Sequence, residues 1–517
     1  MLIAQIRHYG YVFEWTDDHM SEEQCHPLRY TYDTLAEQVL ERLNEISPPP
    51  SKAHEIPRNQ QPESTASQGD TDDVRVDEKF DAEDLKQFPQ SNDKPKVETK
   101  HPFERSQPQA ADASAEPSEK PGPKPPARDL YAILKEHHEN DPLLSRFWNE
   151  VTEVPSWVDW DQIARGQDVF YRYGGANLTG LAYQSLLGGL GAAKVVETLA
   201  RTGGFSTKVA NRRLFETTQH ILQVTKSLSS IQPLGDGWAS TIRVRLLHAA
   251  VRNRIMKLEH DRPGYYSVSS YGIPINDLDS MATISTFSAT LLYMALPRQG
   301  VFPRRRECED YIALWRYVAH VIGAPSWASS NPTKARAVME SLYYHEIRPS
   351  DISKVLANNV IKSLANQPPA YASADFLTAS ARWLNGNALG DALGLPRPSA
   401  YYWALMAGQC IFFCSLIYVN RSVERWDRKK IELVKRIFWS IIVESKYGLQ
   451  GTETGFQFQY VPEYSIMTEM GEENARKEGG YTVEGQYLRT LAYTVVSLGV
   501  GAWVWWKTAN WVIGKVL

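Results

Sequence analysis

From about residue 129 onward, apolar residues recur at the three- and four-residue spacing of helices, and the alternation typical of strands is scarce. The clearest runs are 181–201, 208–227, 241–258 and 401–419. The first of them stops at Gly203-Gly204, which is a typical signal for the end of a helix. With 517 residues, of which 43% are apolar, the chain is long enough to bury a sizeable core. The pattern therefore predicts an all-α fold with a single large helical domain.

The composition changes sharply between residues 47 and 127. This stretch is rich in Pro, Ser, Gln, Asp, Glu and Lys and poor in large apolar residues, so it cannot bury enough surface to offset its chain entropy. We therefore predict four parts in chain order. They are an N-terminal helical segment at 1–46, a disordered linker at 47–127, a helical domain at 128–472 and a C-terminal tail at 473–517.

Charge and cysteine content argue against several classes of protein. The net charge is −4 and no basic block is present, so we expect no nucleic-acid partner. The four cysteines are too few and too scattered for a disulfide framework, and no CxxC, CxxCH or Cys/His spacing indicates structural zinc or covalently attached haem. Cys410 and Cys414 lie in an apolar run, unlike the cysteine of thiolate-haem monooxygenases, and no GxGxxG follows a strand as in Rossmann dehydrogenases.

The C-terminal tail contains a candidate membrane helix at 490–513. The length of its uncharged stretch is near the lower limit of the ~17–25 residues that a spanning helix needs. The tryptophans Trp503, Trp505, Trp506 and Trp511 suit the aromatic belt of a membrane interface. A helix docked on the domain is the alternative. The apolar run 401–419 also has the length of a span, but its position between polar segments favours a buried core helix.

The segment around His248 is the most informative for chemistry. Arg245, His248 and Arg252 lie on one helix face, and the small residues Ala249 and Ala250 leave room for a flat cofactor. A neutral imidazole is a common axial ligand of haem iron, and arginine suits haem propionates. The alternative is a core helix whose histidine bonds a carbonyl group while the arginines face solvent or pair with acids.

A second polar face lies about thirty residues earlier. Arg213, Thr217 and His220 share one side of a predicted helix, with Glu216 next to them. A threonine hydroxyl near iron would donate a hydrogen bond to bound dioxygen. A solvated polar face explains the same spacing.

Glu197 is the third candidate. It shares a helix face with small and apolar residues, where a carboxylate is costly unless it is paired or neutral. Such burial raises a carboxyl pKa and makes the group a usable base. The alternative is a partly buried face on which Glu197 meets an arginine or a lysine.

The spacing Arg245-x-x-His248-x-x-x-Arg252, preceded by Arg213-x-x-x-Thr217, resembles the latex-clearing rubber oxygenases and the ER-bound mpaB-type oxygenases of fungi. The resemblance implies a helical, globin-like core that holds non-covalent haem b (iron protoporphyrin IX). It makes His248 the proximal iron ligand and Arg245 and Arg252 the cofactor-binding residues beside it. Arg213 and Thr217 match residues on the distal side.

The resemblance also implies a reaction, the oxidative cleavage or oxygenation of a C=C bond by dioxygen in an isoprenoid-like or lipid-like substrate. Glu197 lies at the spacing of the glutamate proposed in that family to remove an allylic proton. Rubber oxygenases carry a lysine directly before the distal threonine, whereas this chain has Glu216. A terpenoid or prenylated metabolite is therefore as consistent with the sequence as rubber.

The alternative function is a non-catalytic haem-binding or lipid-binding protein that its tail tethers to a membrane. The resemblance places the chain at the endoplasmic reticulum membrane, and without a spanning tail it would be cytoplasmic.

Overall fold

The computed structural model describes residues 5–49, 128–202, 205–456, 468–472 and 482–516. Apart from its first three residues, the predicted linker lies outside the described residues, as do Gly203 and Gly204. The described chain is helical except for one two-stranded hairpin, which confirms the all-α fold class.

The strands and helices follow one another in this order: β1 (Gln5–His8), β2 (Tyr11–Glu14), α1 (Glu22–Cys25), α2 (Thr34–Ile46), α3 (Leu130–His137), α4 (Pro142–Thr152), α5 (Trp160–Arg172), α6 (Gly174–Thr179), α7 (Ala193–Arg201), α8 (Ala210–Thr225), α9 (Leu228–Ile231), α10 (Asp236–Asp261), α11 (Val268–Tyr271), α12 (Asp277–Phe287), α13 (Leu296–Arg298), α14 (Arg305–Val321), α15 (Pro332–Glu346), α16 (Asp351–Leu364), α17 (Ala374–Asn385), α18 (Asn387–Ala392), α19 (Ala400–Arg421), α20 (Glu424–Trp439) and α21 (Val483–Val516). Short 3-10 turns occupy Pro27–Arg29 and Ser326–Ser329, and π-helical stretches occupy Gly180–Leu187, Leu291–Ala295 and Ser440–Glu444.

The N-terminal segment differs from the prediction of a purely helical piece. It begins with the antiparallel hairpin β1–β2, and it forms one compact unit with the helical domain instead of standing apart from it. The Tyr11 hydroxyl donates to Glu340 at 2.7 Å, and Asp33 pairs with Arg245 at 2.6 Å. These long-range contacts are not visible in local spacing, which indicates only the apolar face of α2.

Helix α10 lies at the centre of the domain. It has 26 residues and packs against α2, α3, α8 and α14. Trp238, Ile242 and Leu246 are fully or almost fully buried along it, and the Trp238 indole donates to the carbonyl oxygen of Val151 at 3.0 Å. Because neighbours pack on several sides of this helix, it provides a rigid support for the side chains near its middle.

The apolar run 181–201 is not one helix. A π-helical stretch ends at Leu187, and α7 starts only at Ala193, after a turn rich in glycine. A Cβ atom on Gly188 would lie 2.2 Å from the Asn385 side-chain oxygen, so a larger residue here would displace the Asn385 side chain at the end of α17. Apolar spacing continues through the turn, and the break is therefore hidden from periodicity.

Helices α19 and α21 pack against each other. Ala400–Arg421 is long and apolar enough to cross a membrane, by length and composition only, and 33% of its apolar window is buried. One face of α19 is buried, whereas Tyr401, Leu416 and Val419 are exposed, so the prediction of a buried core helix holds for one face only. The tail predicted at 490–513 is part of α21.

Candidate functional site

A cavity of about 870 Å³ lies between α8, α10 and α12, with further walls from α7, α15 and the segment 452–456. Its volume is near the upper end of the roughly 300–1,000 Å³ found for ligand sites. Most of its wall surface is apolar, although many polar side chains, including His220, His248 and Asp279, also line it. The cavity therefore has the size and lining of a site for a large apolar ligand.

His248 lies in the middle of α10 and lines the cavity. No hydrogen bond to its ring occurs within the described part of the chain. Burial, and to a smaller extent the nearby positive charge of Arg252, together lower the pKa of His248 to about 4. The ring is therefore neutral at physiological pH, and its nitrogen lone pair is available to a ligand in the cavity.

His220 is a second imidazole in the cavity wall, one helix away on α8. Its Nδ1 lies 2.9 Å from the Ser240 hydroxyl, which donates its own hydrogen to the Gly237 carbonyl oxygen at 3.0 Å. The ring must therefore donate from Nδ1 to Ser240, which leaves the lone pair on Nε2. Burial lowers the pKa of His220 to about 4 as well, so the ring is neutral.

Helix α8 also brings Arg213 and Thr217 to the cavity wall. The Arg213 guanidinium donates to the Thr202 hydroxyl at 3.3 Å and lies 5.8 Å from the centre of the Phe205 ring. Burial lowers its pKa. Because arginine stays protonated in proteins even so, Arg213 offers a positive charge to an anionic group in the cavity. Glu216 pairs with an arginine of its own helix instead.

Arg245 does not line the cavity, so its expected role in binding a cofactor stays a prediction without support from this geometry. Its guanidinium is 3% exposed and donates to Asp33 at 2.6 Å, to Glu150 at 2.7 Å and to the Val321 carbonyl oxygen at 3.3 Å. These partners hold α10 in place against the N-terminal segment and α4.

Arg252 is not part of the cavity wall either. It donates to the carbonyl oxygens of Pro274 and Ile275, at 3.1 and 2.7 Å, and its guanidinium lies 4.5 Å from the centre of the Tyr32 ring. Its expected role in binding a cofactor therefore stays a prediction, and the contacts present here position α10. Its charge acts on the nearby His248 by lowering the pKa of that ring.

Glu197 is buried, as expected, but its side chain does not line the cavity. Its carboxylate pairs with Arg201 one turn along α7, and the same arginine donates to its backbone carbonyl oxygen at 2.8 Å. A base needs access to the proton that it removes. In this arrangement the carboxylate lacks such access, so the role of Glu197 as the base stays a prediction, while the arginine partner of the alternative is present.

Asp279 is a cavity residue for which the sequence predicted no role. It lies in the first turn of α12, within the segment Asn276-Asp277-Leu278-Asp279. Burial, and to a smaller extent the negative charge of Glu346, together raise the pKa of Asp279 to about 7. The alternation of acidic and apolar residues in this turn is the only sequence signal that points to it.

No group of three or more His, Cys, Asp or Glu side chains that could hold a metal ion occurs among the described residues. Haem iron needs a single axial protein ligand in addition to the macrocycle. The neutral His248 ring without a protein partner, the charged Arg213 and the apolar walls together fit this cofactor.

The chain is also similar to known proteins. Residues 171–411 match the family model of the ER-bound oxygenase mpaB/B'/Rubber oxygenase catalytic domain. A curated relative, the rubber oxygenase of Streptomyces sp. (strain K30), is 23% identical over 289 residues, which cover 52% of this chain and 66% of the relative. The chain thus spans slightly less than two thirds of that relative. A solved structure of the latex clearing protein LCP in the closed state has a TM-score of 0.41 and 17% identity, and the match covers 56% of this chain and 79% of that one.

Proposed function

We infer that this chain, which belongs to the ER-bound oxygenase mpaB and rubber oxygenase family, is a haem b-dependent oxygenase. Its substrates would be dioxygen and an apolar, isoprenoid-like or lipid-like molecule with a C=C bond, which it cleaves or oxygenates. The observation that carries this proposal is His248, a neutral imidazole without a protein partner that faces an apolar cavity of about 870 Å³. The cavity-lining residues of α8, α10 and α12 all lie within the matched range.

Individual residues would have the following roles. His248 would bind the iron, and Arg213 would pair with an anionic group of the cofactor or hold a positive charge in the cavity. Thr217 would place a hydroxyl donor in the cavity. Arg245 and Arg252 would fix α10 and therefore the orientation of the His248 ring.

The apolar walls would exclude water and select a substrate without charge along its chain. Bound haem would supply the dioxygen chemistry, and the protein would supply binding, orientation and electrostatics.

An absorption spectrum of the purified full-length protein tests the proposal. After expression with ample iron and haem precursor, the protein should show a Soret band that shifts on reduction, and His248→Ala should abolish it. The matched control is His260→Ala, since His260 is on the same helix but 89% exposed. A wild-type protein without haem under these conditions would refute the proposal.

A second function, a haem or lipid carrier without catalysis, is favoured by two observations. Glu197 turns away from the cavity, and Glu216 stands where rubber oxygenases carry a lysine. The carrier would bind haem or lipid without product formation. Steady dioxygen consumption with an unsaturated lipid would exclude it.

Attachment to a membrane through α21 is part of the same proposal. The side chains of Tyr493, Leu498 and Trp505 on this helix are 71%, 69% and 75% exposed. Apolar side chains this open to water are typical of a surface that contacts lipid or another protein. The ER-bound description of the family model supports lipid as that partner.

A further inference from the structure

Two carboxyl groups in the cavity wall stand out against its apolar surface. Asp279 lies in the first turn of α12, and Glu346 is the last residue of α15. The other two carboxylates in the wall are already engaged, Glu216 with an arginine of its own helix at 3.1 Å and Glu453 with a glutamine at 2.7 Å. Glu346 is engaged as well, by two cations, so Asp279 is the carboxyl group of the wall that has no ion pair or side-chain hydrogen bond among the described residues, and Glu346 is its charged neighbour.

The two members of this pair differ in their partners. Arg29 lies 2.5 Å from Glu346 and Lys194 lies 3.2 Å from it, so Glu346 is a stabilised anion. Asp279 has no ion pair within the described part of the chain, and its backbone contact is the N–H of Asn276. Part of its surface remains open to the cavity although protein surrounds it.

These surroundings decide which charge state Asp279 adopts. Burial and the charge of Glu346 raise the pKa of Asp279 to about 7, against the smaller opposite effects of Asn276, Lys194 and Arg29. At neutral pH the protonated and the ionised carboxyl are therefore both populated.

A hydroxyl group is the ligand that suits both states. It accepts a hydrogen bond from the protonated carboxyl and donates one to the ionised carboxylate. A ligand carboxylate pairs only with the protonated form and is repelled by Glu346. A hydrocarbon offers neither donor nor acceptor and leaves the buried carboxyl without a partner, which costs free energy.

We propose that Asp279 and Glu346 bind the hydroxyl head of an isoprenoid or unsaturated lipid alcohol, whose apolar chain occupies the same cavity beside His248. That the ligand has an isoprenoid or lipid hydrocarbon chain rests on the proposed function. The head-group site adds to that function by naming an alcohol as the substrate class. Asp279 is then the residue that determines specificity for the head group.

The binding test compares three ligands with one prenyl chain: farnesol, farnesoic acid and the hydrocarbon that ends in a methyl group. The haem-loaded full-length protein is titrated by calorimetry in oxygen-free buffer at pH about 8, where Asp279 is mainly ionised. Farnesol should bind about tenfold or more tightly than either other ligand. Equal affinities for the three ligands would overturn the proposal.

Asp279→Asn tests the residue itself, with Asp277→Asn as the matched control in the same turn, since Asp277 does not line the cavity. Removing the charge should raise the affinity for farnesoic acid about tenfold and leave farnesol within about threefold. The control should change neither. The proposal fails if farnesoic acid stays excluded from Asp279→Asn, or if the control shifts equally.

Wild-type protein gives a measurement that does not depend on the folding of a variant. Its affinity for farnesoic acid should rise as pH falls from about 8 to about 6, because Asp279 becomes protonated over this range. An affinity that stays constant over this range would contradict the site.

The head-group site and the oxygenase proposal fail separately. Farnesol preference in a protein without oxygen uptake would remove the oxygenase and leave the head-group site. Oxygen uptake by a protein that binds all three ligands equally would remove the head-group site alone.

Discussion

At the scale of single residues, Asp279 links the cavity to the stability of the fold. Its folded-state pKa of about 7 lies above the about 3.9 of an unfolded aspartate, so folding favours the protonated form. The stabilisation is fully present below pH about 4 and is lost as pH rises through about 7.

We therefore expect the unfolding free energy of the wild type, relative to Asp279→Asn, to fall on the order of 2 kcal/mol between pH about 5 and about 8. Denaturant titrations at several pH values measure this difference. Asp261→Asn, an exposed aspartate at the end of α10, is the control and should parallel the wild type. Parallel curves for Asp279→Asn would mean that the carboxyl is ionised throughout.

The pairing of Glu197 with Arg201 gives a second prediction at this scale. Glu197→Gln removes the charge that Arg201 needs and should lower the unfolding free energy by about 1–3 kcal/mol. Because the carboxylate does not line the cavity, the rate of oxygen uptake in folded protein should stay within about threefold of the wild type. A loss of oxygen uptake by a hundredfold or so at unchanged stability would restore Glu197 as the base.

At the scale of secondary-structure elements, two aspartates tie other helices to α10 in comparable ways. Asp33 caps α2 and pairs with Arg245, whereas Asp129 caps α3 and pairs with Arg243, each with a shortest distance of 2.6 Å. The pairs differ in burial: the Arg245 side chain is 3% exposed and the Arg243 side chain 24%.

Asp33→Asn keeps the helix cap but leaves Arg245 buried with less compensation, so it should cost about 3 kcal/mol. Asp129→Asn, the matched control, should cost less than about 1 kcal/mol, because solvent screens the more exposed pair. Chemical denaturation measures both values. Asp33→Asn should also weaken haem retention, since α10 carries His248; equal costs for the two variants would show that burial of this pair is unimportant.

The same elements show which features of the fold and of the site could be predicted from the sequence alone. Periodicity placed α8, α10 and α19 within a few residues, because each buries an apolar face that repeats locally. Helical spacing also predicted which residues share a face with His248 and with Thr217. For Arg213 and Thr217, a position beside a cofactor was implied by the resemblance alone, because a solvated polar face explains the same spacing. Spacing could not show what each face meets.

The differences between the sequence-based expectations and the structure arise from contacts between residues that are distant in sequence. Arg245 lies on the same helix as His248, but its partner Asp33 is 212 positions away in sequence. The orientation of Glu197 depends on the turn at Gly188, which an apolar run conceals. Asp279 gained its role from the distant Glu346. Each case depends on contacts between elements, which spacing within one element does not contain.

At the scale of the whole molecule, α21 begins as part of the domain and ends as an exposed apolar helix. Near its start, the backbone N–H of Ser373 donates to Glu484 at 2.6 Å, and Tyr487 is buried against Gly408, where a Cβ atom would lie 2.6 Å from the Tyr487 carbonyl oxygen. From Tyr493 to Trp506, nine large apolar side chains are exposed. The helix has 34 residues and is therefore about 50 Å long, enough to reach beyond the domain.

Deleting residues 495–517 removes the exposed part and leaves these docking contacts in place. We expect the full chain in the membrane pellet of a cell fractionation and the truncated chain in the supernatant, because the lost apolar surface drives partition into lipid. Replacing Trp503, Trp505 and Trp506 by serine in the full chain should weaken attachment without shortening the helix. If the truncated chain stays in the pellet and resists alkaline extraction, α19 is a membrane helix in its own right, whereas a full chain found in the supernatant would contradict lipid as the partner of α21.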